Sequence, residues 1–123
     1  MYIIRKEFVF SASHQLEGLP PEHPCSKCHG HNYIVTAELS SAKLNHVGFV
    51  LDYRELEHIK KFIDDALDHK HLNDFLTFNP TAELIAKFLY ETLKKSTPLL
   101  SAIEVSETPK TLARYTPDYD SSL

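Results

Sequence analysis

Hydrophobic and polar positions alternate from the first residues. In YIIRKEFVFSASH, residues 2 to 14, Ile4, Phe8, Phe10, Ala12 and His14 fall on one side, while Arg5, Glu7, Ser11 and Ser13 fall on the other. A period of two is that of a strand with one buried face; Lys6 is the one polar residue on the apolar side. The proline- and glycine-containing QLEGLPPEHPCSK forbids regular structure and predicts a loop longer than a hairpin needs. A second strand is predicted from His29, with His29, His31, Tyr33, Val35, Ala37 and Leu39 on one face. Asn32, Thr36, Glu38 and Ser40 lie opposite, interrupted only by Ile34.

The period then changes. Asp52 is placed to cap a helix, with Glu55 as its reciprocal partner and Leu51 positioned to staple onto Leu56. Leu56, Ile59, Phe62, Ile63 and Ala66 form an apolar stripe. LDHKHLNDF ends that helix. A second is predicted to open at Asn79-Pro80, with proline in the first helical position and Leu84, Ile85, Phe88, Leu89 and Leu93 on one side. Lys94 and Lys95 suit its C-terminal dipole, and Pro98 follows. LLSAIEVSET and TLARYT predict two further strands joined by a turn at Pro109-Lys110, leaving PDYDSSL as a tail. The order, two strands, two helices, two strands, predicts a single α+β domain over residues 1 to 123, with helices on one face of a four-stranded antiparallel sheet.

Composition narrows the function classes. A hydrophobic content of 42% and a charged content of 24% are those of a globular protein. A net charge of −4 argues against nucleic acid as a primary partner. No apolar run approaches the roughly 18 residues of a membrane span, and MYIIRKEF is charged too early for a signal peptide, so a cytoplasmic protein is expected. Two cysteines three positions apart do not make a disulfide framework.

The chemistry gathers in CSKCHGHNY, residues 25 to 33. His29 and His31 share a strand face, and His14 ends the matching face of the preceding strand. Three imidazoles with one open position are a catalytic zinc set. Cys25, Cys28, His29 and His31 could instead close a structural zinc site, and CxxC could be a redox pair, although such pairs usually open a helix. His23, His46 and His58 read as solvated. Asp68 and His69 offer a carboxylate beside an imidazole, suited to acid-base work or to local hydrogen bonding; His69 and His71 are not expected to chelate. Glu107 continues the face of Leu99, Ile103 and Val105, placing a carboxylate on the core side unless the strand end reaches water or a ligand meets it.

With FSASHQL at 10 to 16, CSKCHGHNY, LDYRELE at 51 to 57, LDHKHLND at 67 to 74, NPTAE at 79 to 83 and VSET at 105 to 108, nearly the whole chain resembles the 6-pyruvoyltetrahydropterin and 6-carboxytetrahydropterin synthases of the tunnelling fold. The resemblance implies zinc held by His14, His29 and His31, a catalytic thiol at Cys25, an acid-base couple at Asp68 and His69, and a pterin-anchoring carboxylate at Glu107. Cys28 has no counterpart in it. The spacing between Cys25 and His29 resembles that of the bacterial 6-carboxytetrahydropterin synthases of queuosine biosynthesis. Their implied reaction converts 7,8-dihydroneopterin triphosphate to 6-carboxy-5,6,7,8-tetrahydropterin, acetaldehyde and triphosphate. A homohexamer of two stacked trimers, with sites at subunit boundaries, is implied as well.

Overall fold

The computed structural model describes residues 1–117, so the expected tail lies outside the described residues apart from Pro117. Two long strands, β1 (Tyr2–His14) and β2 (His29–Ser41), form an antiparallel ribbon paired along its whole length. Its register sets Phe8 against Val35, Phe10 against Tyr33 and His14 against His29. The Phe10 and Tyr33 rings stack with centroids 4.6 Å apart, a pair that fixes the alignment from inside the core.

A two-residue strand, β3 (Lys70–His71), runs parallel to the end of β1; β4 (Leu100–Thr108) and β5 (Thr111–Tyr115) complete the sheet, in the order β3-β1-β2-β4-β5. The four long strands are those the alternation predicts. β3 is an addition, too short to show a period. On β4 the register shifts between Glu38 and Leu39, which face Ala102 and Leu100, so Ser101 is bulged out. The bulge brings Leu100 into the core in place of the expected Leu99, which is half-buried.

Both long helices cover one face. A 3₁₀ turn over Tyr53–Leu56 leads into α1 (Glu57–Ala66), and α3 (Ala82–Leu93) follows a single helical turn, α2 (Leu72–Phe75). Leu56, Ile59 and Ile63 from the first meet Ile85, Ala86, Leu89 and Leu93 from the last, against Val35, Ala37, Leu39, Ile103 and Val105 of the sheet. The capping details differ from expectation. The Asp52 carboxylate accepts from the Arg54 amide at 2.9 Å and pairs with the Arg54 guanidinium, so the tight first turn replaces the reciprocal bond from Glu55. Thr81, not Asn79, caps α3 by accepting from the Leu84 amide at 3.2 Å, and Pro80 stands just ahead of that cap. The buried stripe of α3 is rotated accordingly: Leu84 is exposed, and Phe88 joins Phe62, Phe75 and Phe78 in an aromatic cluster at the flank.

The opposite face of the sheet carries a charged network. Arg114 reaches Glu38 at 2.7 Å and Glu104 at 3.0 Å, and Arg5 pairs with Glu104. The Arg114 guanidinium holds the buried Glu38 carboxyl below its ordinary value of 4.5. A depressed carboxylate stabilises the fold above its unfolded value and loses that contribution as pH falls through its folded one. Arg114→Met, which takes the guanidinium from Glu38 while Glu104 keeps Arg5, is expected to cost about 1–2 kcal/mol at neutral pH. The difference from the parent chain should shrink as urea unfolding curves are taken below about pH 4.5, where Glu38 becomes protonated.

Candidate metal centre

The β1–β2 register delivers the three imidazoles. His14 is the last residue of β1 and His29 the first of β2, directly opposite; His31 faces the small Ala12. Ring centroids lie 4.5 Å (His14–His29), 4.9 Å (His14–His31) and 4.9 Å (His29–His31) apart, with planes crossing at 67°, 85° and 88°. Three nearly perpendicular rings thus surround one point, and their donor atoms lie within 4.8 Å of one another.

Backbone carbonyls set the tautomers. His14 Nδ1 is 2.8 Å from the Pro80 carbonyl, and His29 Nδ1 is 2.7 Å from the Lys27 carbonyl. A carbonyl only accepts, so each Nδ1 carries the proton, and in the neutral ring it is Nε2 that presents a lone pair. The two Nε2 atoms are nevertheless 3.0 Å apart. Lone pairs facing each other at that distance repel unless a cation lies between them. His31 Nε2 is buried and makes no hydrogen bond at all. Burial holds His14 and His31 below the ordinary histidine range, against the upward pull of the Glu107 carboxylate. Imidazole nitrogens gathered around one point are what a divalent transition metal binds, and the three rings here could hold one.

Tyr33, which the sequence presents only as core, lies behind the cluster with its hydroxyl 3.1 Å from His14 Nδ1; burial pushes its phenol well above the usual value. Pro80 likewise became visible only in the structure, because its carbonyl is freed for His14 by its place just ahead of the Thr81 cap. Period two in HxHxY would have pointed to Tyr33, whereas nothing local points to Pro80.

Glu107, two residues beyond Val105 on β4, brings Oε2 to 3.0 Å from His31 Nε2 and 3.4 Å from His14 Nε2. Asp68 spans two partners: Oδ1 accepts from the Ser11 amide at 2.8 Å, and Oδ2 lies 2.8 Å from His69 Nδ1. Ser11 first, and His69 second, hold its carboxyl below the usual range. His69 adopts a left-handed backbone, φ 58°, and its ring is 83% exposed. His31, Tyr33, Asp68, His69 and Glu107 all line one groove of about 1200 Å³.

Cys25 is a free, half-buried thiol in a short 3₁₀ turn, Pro24–Ser26, and is not part of that groove's lining. Cys28 is exposed, with Sγ 4.0 Å from His71 Nδ1, which also meets Ser13 Oγ at 2.8 Å. Among the described residues the thiols do not join the imidazole cluster, so a closed Cys2His2 arrangement is not what the fold assembles. Two histidines expected to be simply solvated have partners. His23 Nδ1 caps the Cys25 turn at 3.0 Å, and His58 bridges the Glu55 carbonyl at 2.9 Å and Thr97 Oγ1 at 2.8 Å.

The family described as 6-pyruvoyl tetrahydropterin synthase matches residues 3–118. The chain belongs to this family. A 6-carboxy-5,6,7,8-tetrahydropterin synthase of Synechocystis sp. is 37% identical over 124 residues, spanning 94% of this chain and 93% of that protein. A 6-pyruvoyl tetrahydrobiopterin synthase of Drosophila melanogaster is 31% identical over 136 residues, spanning 96% of this chain and 80% of that protein. The structure of the Caenorhabditis elegans 6-pyruvoyl tetrahydropterin synthase superposes with a TM-score of 0.79 at 28% identity, covering 96% of this chain and 98% of that one. What these relatives have in common is tetrahydropterin synthesis on an α+β tunnelling fold, and this chain has that fold. No described helix is long and apolar enough to cross a membrane.

Loss of one ring should be decisive for metal uptake. His29→Ala and His31→Ala are each expected to weaken divalent-metal binding by more than about a hundredfold, and Tyr33→Phe by about tenfold, the scale of an outer partner. Competition with a chromophoric chelator measures both.

Proposed function

We propose that this chain is a zinc-dependent 6-carboxy-5,6,7,8-tetrahydropterin synthase, a carbon-carbon lyase acting on 7,8-dihydroneopterin triphosphate in the queuosine route. The observation that carries the reading is the convergence of three imidazoles on one point beside a groove that also holds Asp68, His69 and Glu107. The resemblance to synthases so named, together with the Cys25 to His29 spacing, favours the carboxy over the pyruvoyl product.

Zinc held by His14, His29 and His31 supplies Lewis acidity toward the hydroxyls of the substrate side chain. The protein's own residues do the rest. Cys25, as thiolate, takes a proton from carbon, and His69, oriented by Asp68, returns or relays protons on the other side. The short bond from the Ser11 amide keeps Asp68 ionised and fixed, so the couple is anchored to β1, the strand that also carries His14. Glu107 accepts from the amino-pyrimidinone edge of the pterin, which gives a role to a carboxylate on the wall of the groove. The mostly apolar Phe8, Phe10 and Tyr33 along the groove exclude water from the bicyclic ring.

Residues 1 to 123 are read as one domain, working as a cytoplasmic homohexamer, two stacked trimers with sites at subunit boundaries. The position of Cys25 outside the groove of its own chain suits a thiol supplied across such a boundary. The outer edge of β1 ahead of its short pairing with β3, and that of β5 among the described residues, suit strand pairing between copies.

Incubation with dihydroneopterin triphosphate should release acetaldehyde and yield the 6-carboxy product by mass spectrometry; a retained three-carbon side chain would indicate the pyruvoyl reaction. Cys25→Ala should keep zinc and lose turnover by at least about a hundredfold, the scale of a lost acid-base group. Chelation of the metal should leave helix and strand content unchanged while abolishing activity, because the core of Leu, Ile and Val side chains does not depend on the site. Sedimentation of a monomer would contradict the assembly.

A further inference from the structure

The CSKC segment leaves Cys28 without a use in the reaction, and its backbone shows where that thiol stands relative to Cys25. Cys25 lies in the 3₁₀ turn Pro24–Ser26 and is pinned on both sides: its amide donates to His23 Nδ1 at 3.0 Å, and its carbonyl accepts from the Leu16 amide at 3.0 Å. Ser26 is the last residue of that turn, and Lys27 follows in an extended conformation, φ −100° and ψ 155°. A helical residue followed by an extended one is the backbone of a type VIII turn, whose ends stand within about 7 Å. The ends here are Cys25 and Cys28, and about 7 Å between Cα atoms is the limit a disulfide can span without backbone movement. Redox CxxC pairs usually open a helix; in this chain a single 3₁₀ turn folds the segment back.

The two thiols differ in access. Cys25 is half-buried, whereas Cys28 is exposed just ahead of β2, its Sγ in a loose contact, 4.0 Å, with His71 Nδ1. An accessible sulfur with a second one close by in the chain is the arrangement of an oxidant-responsive pair.

We propose that Cys28 is an oxidation site, and that its reaction with a hydroperoxide joins it to Cys25 in a reversible disulfide. The inference rests on the reading of Cys25 as the proton-abstracting thiol and adds regulation of it. The Cys28 sulfur attacks one peroxide oxygen, the O–O bond breaks, and a sulfenic acid and one water (or alcohol) result. The Cys25 sulfur then displaces the sulfenic oxygen as a second water, forming the S–S bond. Two thiols give up two electrons and two protons, and the peroxide takes them; a dithiol reverses the step by exchange. A sulfur held in the bridge takes no proton from carbon, so turnover stops. The three imidazoles keep the metal, since neither sulfur belongs to their cluster. Bridging also spares Cys25 the irreversible step to sulfinic acid.

The test treats the zinc-loaded protein with hydrogen peroxide, quenches with catalase and counts thiols. Free thiols should fall from two per chain to none, and mass spectrometry of the peptide carrying residues 25 to 28 should show an internal bridge. Turnover of dihydroneopterin triphosphate should fall by at least about a hundredfold and return with dithiothreitol. Zinc should stay bound throughout, as read with a chromophoric chelator. Cys28→Ser, which leaves the residues of the reaction in place, should keep its turnover and withstand at least about tenfold more peroxide. Sulfinic acid without a bridge, bridges between chains, or a Cys28→Ser protein as sensitive as its parent would each overturn the inference. Zinc leaving in step with the thiols would overturn it as well, by making the sulfurs ligands. A bridge that forms in a protein without any synthase turnover would sustain the oxidation site while overturning the synthase reading.

Discussion

Everything at the candidate site depends on the register of one strand pair. Slipping β1 against β2 by a single residue would turn the Phe8–Val35 and Phe10–Tyr33 pairs away from each other and break the opposition of His14 and His29. The register is held by apolar burial well away from the histidines, in a stretch where Tyr33, Val35, Ala37 and Leu39 are wholly inaccessible to solvent. A slip there would expose several large side chains, each worth about 1.5–3 kcal/mol of burial. The core thus keeps three imidazoles in place that would not gather by themselves.

Those imidazoles are a local cost. Buried polar atoms without partners are unfavourable; His31 Nε2 is one, and His14, the most enclosed of the three, has its Nε2 3.0 Å from that of His29. Local rules of good packing are broken at one place while the surrounding sheet and helices obey them, the pattern expected of a functional site. The carbonyls of Pro80 and Lys27 keep both rings in the metal-binding tautomer. Each comes from an irregular segment, where backbone acceptors are not consumed by a helix or ladder.

A second constraint ties the acid-base couple to the same strand. The Ser11 amide donates to Asp68 and the Ser11 carbonyl accepts from the His69 amide at 2.6 Å, so the segment after α1 docks on β1 and continues into β3. His69 takes a left-handed conformation where the chain turns into that short strand. One strand, β1, therefore positions a member of each chemical group: His14 directly, and Asp68 and His69 through Ser11. β4 adds Glu107 through its own register with β2.

The sequence by itself determined the long elements and the shared faces. Period two in residues 2 to 14 and from His29 onward, and the 3.6-residue stripe of Leu56, Ile59 and Ile63, are local signals that burial only reinforces. They suffice to put His14, His29, His31 and Glu107 on the inner face. The tertiary structure alone decided what depends on residues far apart in the chain. The Pro80 carbonyl lies 66 positions from His14, β3 is two residues long and exists only because β1 offers an edge, and the bulge at Ser101 exchanges Leu99 for Leu100 through pairing with β2. Periodicity states which way a side chain points; which atom it meets is set by register and by backbone acceptors brought in from elsewhere.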